Sequence, residues 1–267
     1  MGTIAPLKPM IFDDMATRPP SRLALNFKNI PYSASSAPLL KTSQSSHPLD
    51  VPASRKLENN SKSYTLPILI DPNTNTKLEG SFEIATYLQQ TYPAAGAGDL
   101  FAPQRLDFIV TRSKDLTLFV LFLDQKEIMY KEYSKFNVYV DAVFTSHALL
   151  MYHQELLDPD TAKGSKAEFF RRVGESWADF EVKGEEREKL KASLRSALGH
   201  LGRLFKRDIT GPFLLGQRTS YADIIVGGWL RIMCVALPGD EWEEVKSWHG
   251  GIFGNLHDAL EKYTEVN

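Results

Sequence analysis

The chain has 267 residues with little cysteine, little net charge and no long apolar run, and each shortage excludes a class of protein. A single cysteine, Cys234, excludes an intramolecular disulfide and indicates a reducing compartment. A net charge of -2 gives no electrostatic basis for binding nucleic acid or an anionic membrane. No apolar run reaches transmembrane length and the N-terminus shows no secretory signal, so a cytoplasmic location is expected.

Several catalytic motifs are also missing. The six histidines show neither the HExxH pattern nor Cys/His spacing, so no metal site is expected. The chain has no glycine-rich phosphate loop and no GxSxG elbow. Cys234 lies within an apolar run, which favours a buried structural thiol over a nucleophile. What is present is 43% hydrophobic residues, enough for a sizeable core in one or two domains.

The most informative stretch runs from Tyr64 to Gln90 and predicts a strand, a turn, a second strand and a helix. Residues 64–70 form a short apolar run, and residues 71–75 (Asp-Pro-Asn-Thr-Asn) have turn composition. Ser81 is a candidate N-cap for the following helix. Pro67 is unusual in a strand because proline cannot donate to the hydrogen-bond ladder. It fits either a cis Leu66–Pro67 bond that turns backbone groups of Leu66 toward a ligand, or an ordinary edge-strand proline.

The rest of the chain predicts two domains of different class. A strand at 10–12, a helix at 22–29 capped by Ser21 and a strand at 30–34 match a βαβ unit. Residues 40–63 have no apolar period and predict an irregular segment. From residue 103 onward the apolar pattern is helical: 185–206 is the clearest amphipathic segment, and 240–248 and 252–263 are the last two predicted helical segments. Ser220, with Asp223 three residues later and an apolar run after it, predicts a capping box at a helix start. The expected fold class is α+β, with an α/β domain at 1–92, a linker at 93–102 and an all-helical domain at 103–267.

Three segments carry a resemblance to a known family. The segment TLPILID with the later GSFEIATYL, the segment RLALNFKNIPY and the segment FLLGQRTSYADIIV resemble the glutathione S-transferase superfamily. Within it, the chain looks most like the β-etherase-like group and its fungal relatives, including the ustiloxin-pathway transferase-like proteins. The resemblance implies a thioredoxin-like domain before a helical one, a cis proline at Pro67, glutathione as co-substrate and a homodimer. It also implies that Leu66, Pro67 and Ser81 contact glutathione, with Glu79 nearby.

The residue that holds the glutathione sulfur as thiolate does not match the family pattern. Where the etherase-like branch carries Ser-Pro-Asn-Thr, this chain has Met15-Ala16-Thr17-Arg18, so the serine is missing. Thr17 is the nearest hydroxyl and Ser21 lies one turn further on, although Ser21 is equally explained as a helix cap. Asp14 and Arg18 are further candidates in the same loop. Gly80 stands where the family has an acid or glutamine, and Glu79 need not replace that side chain because neighbouring strand residues face opposite sides.

The resemblance also implies a pocket for a second substrate. Its candidate lining residues are Arg112, Asp115, Phe119, Trp229 and Arg231. Arg112 and Asp115 are spaced i,i+3, which equally fits a surface ion pair.

Two functions of different classes follow. The first is an enzyme of fungal secondary metabolism that acts on a small hydrophobic or aromatic molecule. It would either use glutathione or be a repurposed isomerase, dehydratase or cyclase. The second is a non-catalytic ligand-binding protein, because a fold alone does not fix function.

Overall fold

The computed structural model describes residues 7–12, 20–36, 55–56, 62–63, 67–107, 129–151 and 182–264. These residues form two compact units. The first unit contains the described residues between 7 and 98 together with Tyr263 and Thr264, and the second contains those between 99 and 262. The expected linker at 93–102 is therefore divided, because its residues up to Gly98 belong to the first unit.

The first unit is built on a mixed sheet. The described strands are β1 (Leu7–Phe12), β2 (Tyr32–Ser36), β3 (Arg55–Lys56), β4 (Lys62–Ser63), β5 (Ile68–Asp71) and β6 (Thr76–Glu79). Four of them form one sheet in the order β2-β1-β5-β6, with β1 parallel to β2 and antiparallel to β5. β5 and β6 form an antiparallel hairpin. Helices α1 (Pro20–Phe27) and α2 (Ser81–Thr91) pack against each other. The thioredoxin-like expectation is confirmed.

The predicted strand, turn, strand and helix are present, with small corrections. β5 begins at Ile68, so Pro67 precedes the strand, where its missing N–H costs no ladder bond. The turn spans residues 72–75, and Asn75 takes the left-handed conformation with φ of 54°. The expectation of a wholly irregular segment at 40–63 is wrong where β3 and β4 pair antiparallel.

The start of α1 also differs from the prediction. The helix begins at Pro20, so Ser21 is its second residue and not its N-cap. Proline favours the first helical position because its fixed φ suits the helix and its missing N–H would have had no helical partner. Leu23, Ala24 and Phe27 are buried, as the apolar pattern predicted.

The second unit is helical. Its described helices are α3 (Lys131–Thr145), α4 (Gly184–Phe205), α5 (Tyr221–Ala236) and α6 (Gly239–Leu260), with a 3-10 turn at Ala148–Met151. α5 is apolar on most sides and packs on α3 and α6, so it forms the centre of the unit. The amphipathic stripe of α4 is confirmed, since Leu194, Leu198, Leu201 and Phe205 are buried. α6 is broken by non-helical residues at 248–251, which confirms two separate helical segments near the end of the chain.

The predicted capping box at the start of α5 is confirmed. The backbone N–H of Ser220 donates to Asp223 Oδ2 at 2.7 Å, and the Ser220 hydroxyl donates to the same atom at 2.8 Å. The N–H of Leu214 donates to Asp223 Oδ1 at 2.8 Å, which ties the preceding loop to the helix. Complete burial raises the pKa of Asp223 to about 6, against the effect of these three donors.

Within the part of the chain that the structure describes, no helix is both long enough and apolar enough to cross a membrane. Over the same residues, no cluster of three histidine, cysteine, aspartate or glutamate side chains could hold a metal ion.

Candidate functional site

The candidate site in the first unit is centred on the junction between β6 and α2. The N–H of Gly80 donates to the carbonyl of Pro67 at 3.0 Å, which holds the start of α2 beside the start of β5. Glu79, the last residue of β6, is buried and stands opposite Ile68 in the hairpin. The structure therefore brings together three of the predicted glutathione contacts: Pro67, Glu79 and Ser81.

Gly80, and not Ser81, is the N-cap of α2. Gly80 has φ of 89° and ψ of 137°, and Ser81 is the first helical residue with no side-chain cap bond. A positive φ of this size strains any residue with a Cβ, which explains glycine at this position. Ser81 is half-buried at the helix start, where backbone N–H groups lack helical partners.

The Glu83 carboxylate lies close to Gly80 at the same helix terminus, and sequence analysis did not assign it to the site. A Cβ built on Gly80 would overlap the Glu83 carboxylate, so this carboxylate occupies the space that a side chain at position 80 would fill. Glu83 is the third helical residue, from which a glutamate can fold back toward the N-cap. The signal in the sequence is a glutamate three residues after the cap.

A buried carboxylate fixes α2 against the hairpin. Asp71 Oδ2 accepts hydrogen bonds from the hydroxyls of Tyr87 and Tyr92, both at 2.6 Å, and Asp71 Oδ1 accepts from the N–H of Asn73 at 2.8 Å. Burial alone would raise the pKa of Asp71, but these donors outweigh it and lower the pKa. The same burial and the Asp71 carboxylate raise the pKa of Tyr92. Sequence reasoning assigned Asp71 only to the turn.

Ser21 lies in the first turn of α1. Its side chain is fully buried, and its hydroxyl has no hydrogen-bond partner among the described residues. Such a hydroxyl leaves a buried polar group unsatisfied, which costs about 1–3 kcal/mol. Because it is at the positive end of the helix, it is chemically suited to an anion or a polarisable atom.

The other end of α1 is held by a buried lysine. Lys28 is 0% exposed, and its Nζ donates to the carbonyls of Pro93 at 3.2 Å and Gly98 at 2.6 Å. The N–H of Ala97 donates to the carbonyl of Phe27 at 2.8 Å. Asn26 Nδ2 donates to the carbonyl of Tyr263 at 2.7 Å. The helix that carries Ser21 is therefore fixed at its C-terminal end.

Two predicted pocket residues are on α5 in the second unit, where they have different partners. Trp229 Nε1 donates to Asp141 Oδ1 at 2.8 Å, and its ring stacks on Phe144 with centroids 5.3 Å apart. Arg231 forms an ion pair with Glu261. That these two residues line one pocket therefore stays a prediction.

Comparisons with known proteins identify the family of the chain. A family model described as "Glutathione S-transferase, N-terminal domain" matches residues 21–96, and one described as "Glutathione S-transferase, C-terminal domain" matches residues 135–263. The chain belongs to the glutathione S-transferase superfamily. No curated protein matches it.

Solved glutathione S-transferases of fungi have the same fold. The enzyme CsGST63524 of Ceriporiopsis subvermispora, in complex with glutathione, is 21% identical with a TM-score of 0.75, and the match covers 99% of each chain. GSTFuA3 of Phanerochaete chrysosporium is 19% identical with a TM-score of 0.67, covering 99% of this chain and 100% of the other. CsGST83044 of Ceriporiopsis subvermispora, also with glutathione, is 21% identical with a TM-score of 0.67, covering 98% and 99%.

Membership in the glutathione S-transferase superfamily leaves part of the predicted site open. Seven candidates lie outside the described residues: Asp14, Thr17, Arg18, Leu66, Arg112, Asp115 and Phe119. The N-terminal family model begins at residue 21, after Asp14, Thr17 and Arg18 in the sequence. Cys234 is half-buried on α5, less buried than expected, and burial raises the pKa of its thiol. The thiol form is therefore favoured at neutral pH, as expected of a structural cysteine.

Proposed function

We propose that this protein is a glutathione-dependent transferase that acts on small hydrophobic or aromatic molecules. The observation that carries the proposal is the start of α2, where Ser81 and the glycine cap Gly80 are fixed beside Pro67 by a backbone hydrogen bond. Two of the fungal structures with this fold are complexes with glutathione, which supports the same ligand here.

The residues at the start of α2 fit the γ-glutamyl end of glutathione, which carries one carboxylate and one ammonium group. The backbone N–H groups at this helix start and the Ser81 hydroxyl suit the carboxylate, because a helix N-terminus is a positive end. The Glu83 carboxylate suits the ammonium group by charge. We propose that Glu83 supplies the acid that position 80 lacks, because its carboxylate occupies the space of a side chain at Gly80.

Glutathione supplies the thiol nucleophile of such a reaction. A hydrogen bond to the sulfur and a helix N-terminus both lower the pKa of a thiol. The Ser21 hydroxyl is in the first turn of α1 and has no partner among the described residues. We therefore propose Ser21 as the group that holds the thiolate, with Thr17 as the alternative and Asp14 and Arg18 beside it.

A second candidate function is favoured by the full burial of Ser21. A hydroxyl that is closed to solvent is poorly placed to meet an incoming sulfur atom. On this second proposal the fold either binds a ligand without turnover or catalyses an isomerisation, dehydration or cyclisation without glutathione.

The proposals for location, oligomeric state and metabolic role rest on the resemblance of the sequence to the β-etherase-like group. We propose a cytoplasmic homodimer of fungal secondary metabolism, within or near the β-etherase-like group and with a second-substrate pocket that includes Arg112, Asp115, Phe119, Trp229 and Arg231. Light scattering after size exclusion measures the dimer directly. A monomer mass at micromolar protein concentration would contradict the proposed homodimer.

The deciding experiment is glutathione binding to wild type and two variants. We expect glutathione to raise the melting temperature, because a ligand that binds only the native state stabilises it. Ser81→Ala and Glu83→Gln should each weaken binding about tenfold, the cost of one charge-assisted hydrogen bond. The matched control is Glu186→Gln, an exposed acid in the first turn of α4.

The outcomes separate the two candidates. Binding with turnover of an aromatic electrophile supports the transferase. Binding without turnover of any electrophile supports the ligand-binding alternative. If wild type shows no shift at millimolar glutathione, the glutathione site is wrong.

A further inference from the structure

A cavity lies among the described residues of the helical unit. It has a volume of about 370 Å³ and is lined by Gln104, Arg105, Asp107, Leu204, Arg207, Leu214 and Leu215. None of the residues proposed for glutathione or for its second substrate is among them. The volume lies at the small end of the range of protein ligand sites.

The floor of the cavity is apolar and held in place. Leu204 and Leu214 are buried, and Leu215 is half-buried. Leu214 is fixed because its N–H donates to Asp223 in the capping network of α5. Gln104 is also fixed, because its Nε2 donates to the Tyr133 hydroxyl at 2.6 Å and to Ser220 Oγ at 2.9 Å.

The rim of the cavity carries an excess of positive charge. Arg207 Nη1 donates to Asp107 Oδ1 at 2.7 Å and to the carbonyl of Arg105 at 3.1 Å, so its guanidinium is held by protein atoms. Arg105 contacts the other oxygen of Asp107 at 3.1 Å. Two guanidinium groups therefore share a single carboxylate, and the side chain of Arg105 is 87% exposed. Most of its donors face solvent beside an apolar floor.

We propose that this cavity binds a small organic carboxylate with an apolar body. The carboxylate would pair with Arg105, whose planar donors match it in two-point geometry, and the apolar body would cover the three leucines. Asp107 stays ionised, because its hydrogen bond from Arg207 lowers its pKa, and it fixes both arginines without cancelling their joint charge. The exposed rim makes the interaction sensitive to salt.

The test uses octanoate as the probe and octan-1-ol as its uncharged match, measured by titration calorimetry. We expect octanoate to bind in a one-to-one ratio and more tightly than octanol, with affinity that falls as salt is raised. Arg105→Gln should weaken octanoate binding about tenfold and leave octanol unchanged. Leu215→Trp, which fills the floor, should weaken both ligands.

Arg203→Gln is the matched control for charge. This arginine is on the same helix as Leu204, is exposed and bonds His200, and it does not line the cavity. Equal effects of Arg203→Gln and Arg105→Gln would show that only overall charge matters and would overturn the proposal. Displacement of octanoate by glutathione would place the anion at the α2 site and overturn it as well. Absence of octanoate binding at millimolar concentration would have the same consequence, whatever the result with glutathione.

Discussion

A residue with a side chain at position 80 would have to adopt a backbone φ of 89°, and its Cβ would displace the Glu83 carboxylate. We expect Gly80→Ala to lower the free energy of unfolding by roughly 1–3 kcal/mol, because this φ strains a residue with a Cβ, whereas the exposed Glu83 side chain can move aside. Urea denaturation measures this. Gly239→Ala is the matched control, since a Cβ there meets no atom within 4 Å and the change should be neutral or slightly stabilising. Equal losses in both variants would contradict the explanation.

Ser21 offers a test in which stability and activity should separate. Its hydroxyl is buried without a partner, so Ser21→Ala should leave the melting temperature unchanged or raise it. If Ser21 holds the thiolate, the same variant should lose at least about tenfold in glutathione turnover, from the rise in thiol pKa. Both quantities are measured on one preparation.

Ser220→Ala is the control for this serine. Ser220 is the N-cap of α5, so its loss should cost about 1–2 kcal/mol of stability. A comparable loss in Ser21→Ala would mean that the Ser21 hydroxyl has a structural partner. That result would remove Ser21 as the thiolate partner.

At Ser21 and Ser81 the sequence predicted the helix but placed its cap too late, by two residues at Ser21 and by one at Ser81. The apolar stripe that predicts a helix continues over several turns, whereas a cap depends on the φ of a single residue. Pro20 and Gly80 decide the starts of α1 and α2 through their own backbone preferences. The capping box of α5 was predicted correctly, because Ser220 and Asp223 form a local pattern that needs no distant partner.

Between elements, the attachment of α2 to the β5–β6 hairpin depends on one carboxylate. Asp71 accepts a 2.6 Å hydrogen bond from Tyr92, beyond the end of α2, and another from Tyr87 within it. We expect Tyr92→Phe to cost about 1.5–3 kcal/mol, the range for a hydrogen bond to a charged group. Urea denaturation of the single variants and of Tyr92→Phe with Asp71→Asn forms a double-mutant cycle. The pair should lose less than the sum of the singles. If the losses of the two single variants simply add in the double variant, the Tyr92–Asp71 hydrogen bond does not hold the helix.

Apart from β3 and β4, the described elements followed from the sequence, and their contacts did not. A turn between two short apolar runs is readable because each signal lies within five residues. The partners of Asp71 lie 16 and 21 residues away along the chain, and those of Lys28 lie 65 and 70 residues away. No local sequence pattern predicts such contacts. The position of Glu83 could be predicted only in part. Its spacing from the cap is a local pattern, but its carboxylate fills this space only because residue 80 is glycine.

For the whole molecule, acid should act differently on the two units. In the first unit the pKa of Asp71 is lowered, so its contribution to stability is present above about pH 4 and is lost as the pH falls further. In the second unit the pKa of Asp223 is raised to about 6, so the folded state keeps a proton that the unfolded chain has released. That contribution therefore declines as the pH rises from about 4 to 6.

In the same unit, His147 changes stability with pH in the direction opposite to Asp223. Its ring bonds the Val143 carbonyl at 2.6 Å and the Ser193 hydroxyl at 2.9 Å, and burial lowers its pKa. The unfolded chain therefore takes up a proton below about pH 6.5 that the folded histidine does not, and stability falls with acid. Because the two groups act in opposite directions, the pH profile of the wild type alone does not isolate either of them.

The difference between Asp223→Asn and the wild type does isolate one of them. Asparagine does not titrate, so the stability lost in this variant should be largest near pH 4 and should shrink toward pH 6, by on the order of 2 kcal/mol. Tryptophan fluorescence during urea denaturation reports mainly on the relevant unit, because three of the four tryptophans, Trp229, Trp242 and Trp248, lie in it. A loss that is the same at pH 4 and pH 6 would mean that the Asp223 pKa is not raised. The three donors on its carboxylate would then outweigh its burial.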